Sequence, residues 1–354
     1  MKQLLIAAFL LFTGFAVAQP ETTPLKPGPT PEGIIYFLPK TELQFHVLVE
    51  KTSYRPGIFA KYAERCLQLH DIAQEEEETY RLVDYVIEQT AVRDTSKCFV
   101  VKLKGGKNDT AKVHVSDDGI LLAVNAEPIK VARHVPFRAA AQAPRTQLRR
   151  YLSAEVLAAG SNAKMAELTA SPLVELQNRR RQLITGDVDD MPKDARQLQL
   201  MIDEIDRQTD AMVALFKGTL TRDTVEHTIT LCPEKEVSRE VLFRLSRHLG
   251  MVDMDDLAGV PYYITIEDLH NTTLDVFQKP ENKKNKGFYA NVPSRVRLTL
   301  HRSDELLGTF YFYMPQFGFM ELRGADLFKR YSIHLQLNPL TGAIESLYAD
   351  VKQK

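Results

Sequence analysis

The sequence predicts an α+β fold in which two mainly antiparallel β regions are separated by an antiparallel helical hairpin. Period-two alternation marks both flanks: Leu43, Phe45, Val47 and Val49 alternate with Gln44, His46 and Glu50 in one, and Val296, Leu298 and Leu300 recur in the other. Between them a helical stripe, Leu198, Met201, Ile202, Ile205, Met212 and Phe216, leaves Asp203, Glu204, Arg207 and Asp210 off the apolar face.

The chain opens with Lys2 and an apolar run from Leu4 to Val17 that closes on Ala16-Val17-Ala18. This is the pattern of an export signal over residues 1–18, cut between Ala18 and Gln19. The run is too short for a permanent span, and no later stretch approaches the ~20 apolar residues a membrane helix needs. The expected protein is therefore exported, either periplasmic or extracellular and outer-membrane-associated, and not membrane-spanning. Residues 19–32, with prolines among short polar residues, read as an extended tether.

An N-terminal β-rich domain is expected over 33–138. Its first strand leads through Pro56-Gly57 into a short helix, where Phe59, Tyr62, Cys66 and Leu69 recur at helical spacing. The acidic run Glu75 to Glu78 reads as a solvated loop. Val83, Tyr85 and Ile87 then alternate, as do Phe99, Val101 and Leu103. Val113 to Ser116 and Ile120 to Val124 flank Asp117-Asp118-Gly119, a hairpin turn whose glycine can take positive φ.

Helical spacing governs 139–217. Ser171 and Pro172 read as an N-cap and a first-turn proline leading into Leu173, Leu176 and Leu183, and Gly186 to Lys193 joins this helix to the second. A C-terminal β-rich domain follows over 218–352, with strands at Val225 to Leu231, Val296 to Leu300, Phe310 to Met314 and Ile333 to Leu337. Val241 to Leu249 fits helix and strand equally. Gly33-x-x-Tyr36-x-x-Pro39 is echoed by Gly287-x-Tyr289-x-x-x-Pro293, and the hairpin at Gly119 by Ile333 to Leu347, which together suggest an internal duplication.

The formal net charge is −1, and loss of a leader whose only charge is Lys2 makes it one unit more negative. Such a balance disfavours nucleic acid, which demands a basic face. Cys66, Cys98 and Cys232 form no C-x-x-C pair, so no zinc or thiol-redox motif is signalled. A Cys66–Cys98 bridge and small buried thiols both fit an oxidising compartment. The nine histidines show no H-x-x-x-H or H-E-x-x-H spacing. His227 falls in the apolar register of Val225, Ile229 and Leu231 and reads as a core residue; His46 shares a face with Gln44 and Glu50 and reads as solvent-facing.

Asp187, Asp189 and Asp190, and Asp253, Asp255 and Asp256, lack the glycine and glutamate of a calcium loop and read as polar turns. Gly105-Gly106-Lys107 lacks phosphate-loop spacing, no G-x-S-x-G elbow is present, and the lysines of the Lys279 to Lys286 loop read as solvated. No catalytic residue, metal ligand or cofactor is expected. Phe310-Tyr311-Phe312-Tyr313 puts two tyrosines on one sheet face, and Tyr311, Tyr313, Phe317 and Phe319 form the candidate interaction surface.

Gly33-Ile34-Ile35-Tyr36-Phe37-Leu38-Pro39-Lys40-Thr41, the Leu183 to Pro192 turn, Gln316-Phe317-Gly318 and Thr341-Gly342-Ala343-Ile344 together resemble a domain-of-unknown-function family of exported proteins of about this length from Gram-negative bacteria. The resemblance implies export and a common fold, and carries no activity or cofactor. The expectation is a noncatalytic envelope protein that binds another envelope protein or a glycan, with the hairpin as spacer or homodimer surface. The alternatives are an exported hydrolase of cell-wall or glycan material using Asp/Glu pairs, and a carrier of a small apolar ligand.

Overall fold

The computed structural model describes residues 21–25, 33–102, 112–139, 148–187, 194–272, 287–323 and 331–351; the expected cleavage site at Ala18 and Gln19 lies outside them. In chain order the elements are β1 (Glu21–Pro24), β2 (Ile34–Arg55), α1 (Ala63–Leu67), β3 (Glu77–Lys102), β4 (Val113–Val115), β5 (Leu121–Val124), α2 (Ala154–Leu157), α3 (Asn162–Thr185), α4 (Ala195–Lys217), β6 (Thr219–Leu231), β7 (Val237–Ser246), β8 (Gly250–Val252), β9 (Val260–Asp268), β10 (Phe288–Arg302), β11 (Glu305–Arg323), β12 (Tyr331–Leu337) and β13 (Ile344–Val351). They form three antiparallel sheets, ordered β1-β3-β2-β6, β11-β10-β9-β7-β8 and β13-β12-β5-β4.

Strands from the two expected β-rich segments share sheets. β6 pairs with β2 from Leu43↔Leu231 to Arg55↔Thr219, and β12 pairs with β5. The tether region is also tied down in part, since β1 pairs with β3 and Thr22 is fully buried. The ambiguous stretch at Val241 resolves as strand β7, and the two alternating stretches around Val83 and Phe99 are one strand, β3. Glu77 and Glu78 belong to that strand, and Glu78 pairs with Lys51 at 2.8 Å. A register shift opposite Leu48/Val49 leaves Val83 unpaired and 48% exposed, while Leu82, Tyr85 and Ile87 pack inward.

β2 serves two cores. Tyr36 and Leu38 pack with Phe99, Val101, Leu121 and Leu337, whereas Leu43, Phe45, Val47 and Val49 pack against Ile264, Ile266, Leu298 and Leu300 of the second sheet. The buried parity changes from even to odd numbers because a bulge between Phe37 and Pro39 shifts the register and turns the strand's faces. A third cluster, with Phe59, Leu215 and Phe216 at its centre, seats the helices.

The start of α3 differs from expectation. Ser161 caps it, its hydroxyl accepting from the Lys164 N–H at 3.3 Å, and Pro172 lies inside the helix. Proline there gives no N–H to the carbonyl four residues back, and the Ser171 hydroxyl turns away from capping to donate to the Glu167 carbonyl at 3.1 Å. α4 starts as its sequence suggests, with Asp194 accepting from the Arg196 N–H. α3 and α4 touch, and Arg180 pairs with Asp206 across them.

The sheets meet at one polar junction. Asn291 on β10 is 1% exposed; its Nδ2 donates to the carbonyls of Pro39 and Thr341, each at 2.9 Å, and its Oδ1 accepts from Lys97 Nζ at 3.3 Å. Beside it the Gln316 amide grips the buried backbone of Thr41. Two glycines allow this approach: a Cβ on Gly318 would lie 1.9 Å from the Val292 carbonyl oxygen, and one on Gly342, at φ +69, would lie 2.6 Å from Pro39 Cδ.

Candidate functional site

The outer face of the first sheet holds a cluster of ionisable groups. In the register of β3, β2 and β6, Gln44 lies opposite Glu88, His46 opposite Thr228 and Leu48 opposite Glu226, so these side chains share one face. Residues 127–138, in neither helix nor strand, cross this face as a strap. The strap's His134 N–H donates to Glu88 Oε1 at 2.8 Å, and its Phe137 N–H donates to Glu226 Oε2.

Under the strap, His134 Nε2 lies 2.9 Å and His46 Nδ1 lies 2.8 Å from the same oxygen, Glu226 Oε1. The two imidazoles stack with centroids 3.9 Å apart. Thr228 Oγ1 lies 3.2 Å from His46 Nδ1, and His46 Nε2, buried and without a hydrogen-bond partner, lies 3.4 Å from Glu88 Oε2. The Phe137 N–H is the main cause that holds the Glu226 carboxyl below its ordinary pKa, with His134 and His46 adding to it against the effect of burial.

His46 was expected to face solvent, yet it is 6% exposed. The strand period placed it correctly on the side away from the core, but a period cannot show that a distant segment covers that side. His227, expected in the core, is only half-buried, and its register neighbour Val225 is 47% exposed.

The second feature is the open face of the second sheet. Phe310 and Phe312 pack inward, while Tyr311 and Tyr313 are 51% and 52% exposed. Arg295 and Arg297 lie opposite Tyr313 and Tyr311. The Arg295 guanidinium sits 4.5 Å from the Tyr311 ring centroid, Arg297 pairs with Glu267 of β9, and Arg239 lies 4.7 Å from the Tyr263 ring. β11 is the last strand of its sheet, but its edge is partly closed: the Tyr85 hydroxyl donates to the Leu307 carbonyl at 3.1 Å and Gln89 Nε2 to the Tyr313 carbonyl at 2.8 Å.

A family described as a domain of unknown function (DUF4831) matches residues 32–345. The chain belongs to this family. No curated protein and no solved structure matches it. In this DUF4831 chain, three of the four motifs behind the family resemblance, those at 33–41, 316–318 and 341–344, meet at the Asn291 junction. What they contribute there is the backbone of Pro39, Thr41 and Thr341, the Gln316 amide and the close approach at Gly318 and Gly342, all of it sheet-to-sheet contact.

Of the four aromatic residues proposed for the interaction surface, Tyr311 and Tyr313 lie on the open face of the DUF4831 fold, Phe317 packs against the main core, and Phe319 is half-buried. Asp253 and Asp256 shape a turn, with the Asp256 N–H donating to the Asp253 carbonyl and the Ala258 N–H to Asp256 Oδ1. Asp189 and Asp190, Gly105-Gly106-Lys107 and the 279–286 loop lie outside the described residues. Cys66, Cys98 and Cys232 are free thiols, so the bridge considered between the first two is not formed. Among the described residues no helix is long and apolar enough to cross a membrane.

A groove of about 1060 Å³ between α4 and the start of β6 is lined by Asp203, Asp206, Asp210, Asp223 and Glu78 among others. A general acid needs a raised pKa, and two of these carboxylates are shifted the other way. Hydrogen bonding to Arg180 holds Asp206 below its ordinary value, and Lys51 does the same for Glu78.

Proposed function

We propose that this DUF4831 protein is an exported, noncatalytic component of the cell envelope that binds another envelope protein through the open face of its second sheet. Export rests on the leader pattern from Lys2 to Ala18. Binding rests on one observation above all: Tyr311 and Tyr313 stand exposed beside Arg295 and Arg297 on a sheet whose other side is core. Tyrosine and arginine are the residues that interfaces concentrate at their centres, because each offers a large contact area with a polar end.

The mode is face recognition, since side chains from β3 already occupy carbonyls along the β11 edge that an added strand would use. Arg295 leans on Tyr311 while Arg297 is engaged by Glu267, so the partner best suited presents carboxylates to Arg295 and an apolar or aromatic surface to the tyrosines.

Two finer readings accompany this one. α3 and α4 act as an antiparallel hairpin serving as spacer or homodimer surface, supported by exposed Val174 and Ile184 on one and Leu200 and Met201 on the other. The β regions derive from a duplication, supported by Gly33 and Gly287, both at positive φ, each opening the first strand of a long antiparallel pair.

The test is quantitative capture from solubilised envelopes, with wild-type protein and a Tyr311→Ala/Tyr313→Ala double variant as baits. One protein retained by the wild type and lost with the double variant supports the reading. Equal retention by both baits refutes this surface.

A further inference from the structure

We propose that His46 Nδ1, His134 Nε2 and a carboxylate oxygen of Glu226 bind a divalent transition-metal ion of the zinc class, which fastens the 127–138 strap onto the first sheet. The three ligand atoms lie close together, and the residues come from β2, the strap and β6, three segments far apart in sequence. Two imidazoles and one carboxylate are a zinc donor set, with the fourth position left to water.

The surroundings are those of a metal site's outer shell. A ligating imidazole gives its second ring N–H to a carboxylate. His46 Nε2 lies 3.4 Å from Glu88 Oε2, a separation that a small ring rotation would close to a hydrogen bond, and Glu88 Oε1 is held in turn by the His134 N–H. Glu226 Oε2, the oxygen turned from the histidines, is held by the Phe137 N–H.

Proton placement favours the ion. Without it, neutral histidines that each donate to Glu226 leave His46 Nε2 as a bare lone pair, buried and aimed at a carboxylate. With the ion on Nδ1, the proton sits on Nε2 and faces Glu88. Charge also balances: among the described residues no lysine or arginine pairs with Glu88 or Glu226, and a divalent cation offsets both. Zinc with bonds of about 2.0–2.1 Å spaces tetrahedral ligands about 3.3 Å apart; the three ligand atoms already lie within 4.8 Å of one another, and each nitrogen would withdraw slightly from the oxygen it now contacts at 2.8 or 2.9 Å. Thr228 Oγ1 must then yield its contact with His46 Nδ1.

The rival arrangement is a hydrogen-bonded cluster in which a protonated His46 donates to both carboxylates. Glu226→Gln separates the two, because an amide oxygen still accepts from an imidazole but is a poor zinc ligand. Chelator-stripped full-length protein would be titrated with Zn²⁺ against a chromophoric chelator at pH 7.5, and its thermal midpoint followed with and without Zn²⁺. The proposal expects one tight equivalent per chain, a rise in midpoint reversed by chelator, and loss of both in Glu226→Gln and His134→Ala. Zinc uptake equal in wild type and both variants, or no uptake by folded wild type, overturns it.

Discussion

Gln316 holds Thr41 by both ends of its amide. The Thr41 N–H donates to Gln316 Oε1 at 3.0 Å, and Gln316 Nε2 donates back to the Thr41 carbonyl at 2.8 Å and on to the Pro233 carbonyl at 3.1 Å. A side chain on β11 thereby supplies to β2 the paired hydrogen bonds of a neighbouring strand. Gln316→Ala leaves the Thr41 N–H without its partner and the Thr41 carbonyl with only the Cys232 thiol at 3.5 Å, where Thr41 is fully buried, and should cost about 2–3 kcal/mol. Urea unfolding reads this as a lower midpoint at unchanged slope; a wild-type midpoint would show that the grip contributes nothing.

The strap should come loose in acid. The Glu226 pKa is depressed in the folded state, first by the Phe137 N–H, so its contribution is complete above the ordinary carboxylate range and is lost as pH falls through the folded value. Unfolding free energy, measured with chelator present from about pH 7 down to about pH 3, should therefore drop more steeply in wild type than in Glu226→Gln, the ordinary Glu pKa being about 4.3. Parallel curves would remove Glu226 from the acid response.

Core and face residues should separate cleanly. Phe45 is 2% exposed at the centre of the main cluster, and Phe45→Ala should cost about 3–5 kcal/mol through lost burial and a cavity. Tyr311→Ala and Tyr313→Ala remove half-exposed rings and should each stay within about 1 kcal/mol of wild type. Chemical denaturation of the three variants checks this, and a large loss for either tyrosine variant would assign that tyrosine to the core.

Much of the fold was legible because strand period and burial coincide. Phe310 and Phe312 in, Tyr311 and Tyr313 out, follow from alternation alone, and the Gly119 hairpin from its turn residues. What alternation could not carry was pairing between distant segments. Nothing local announces that β6 joins β2 or that β12 joins β5. The same limit hid the His46 site: its face was read correctly, but its cover comes from His134, in a stretch without periodicity. No local signal set these residues apart, since the same strands carry Glu42, Glu50, Asp84 and Asp223 as well.

Asn291 should be the least replaceable polar residue at the sheet junction. Its amide joins Pro39, Thr341 and Lys97, and its N–H donates to the Gly342 carbonyl. Asn291→Ala removes three side-chain bonds in a buried setting and should cost about 3 kcal/mol or more. Asn291→Asp should be no better, because an ionised carboxylate would face the Pro39 and Thr341 carbonyls. Differential scanning calorimetry would show both as lowered midpoints, and a neutral Asn291→Asp would contradict the assigned amide orientation.

The binding account is tested most directly by placing a photo-cross-linking residue at Tyr313, and for comparison at Leu157, which is 60% exposed on α2, in cells that express the full chain. Position 313 should yield one discrete adduct that identifies a single envelope protein, with no such adduct from position 157. The account is contradicted if position 313 gives no adduct, or the same adducts as position 157.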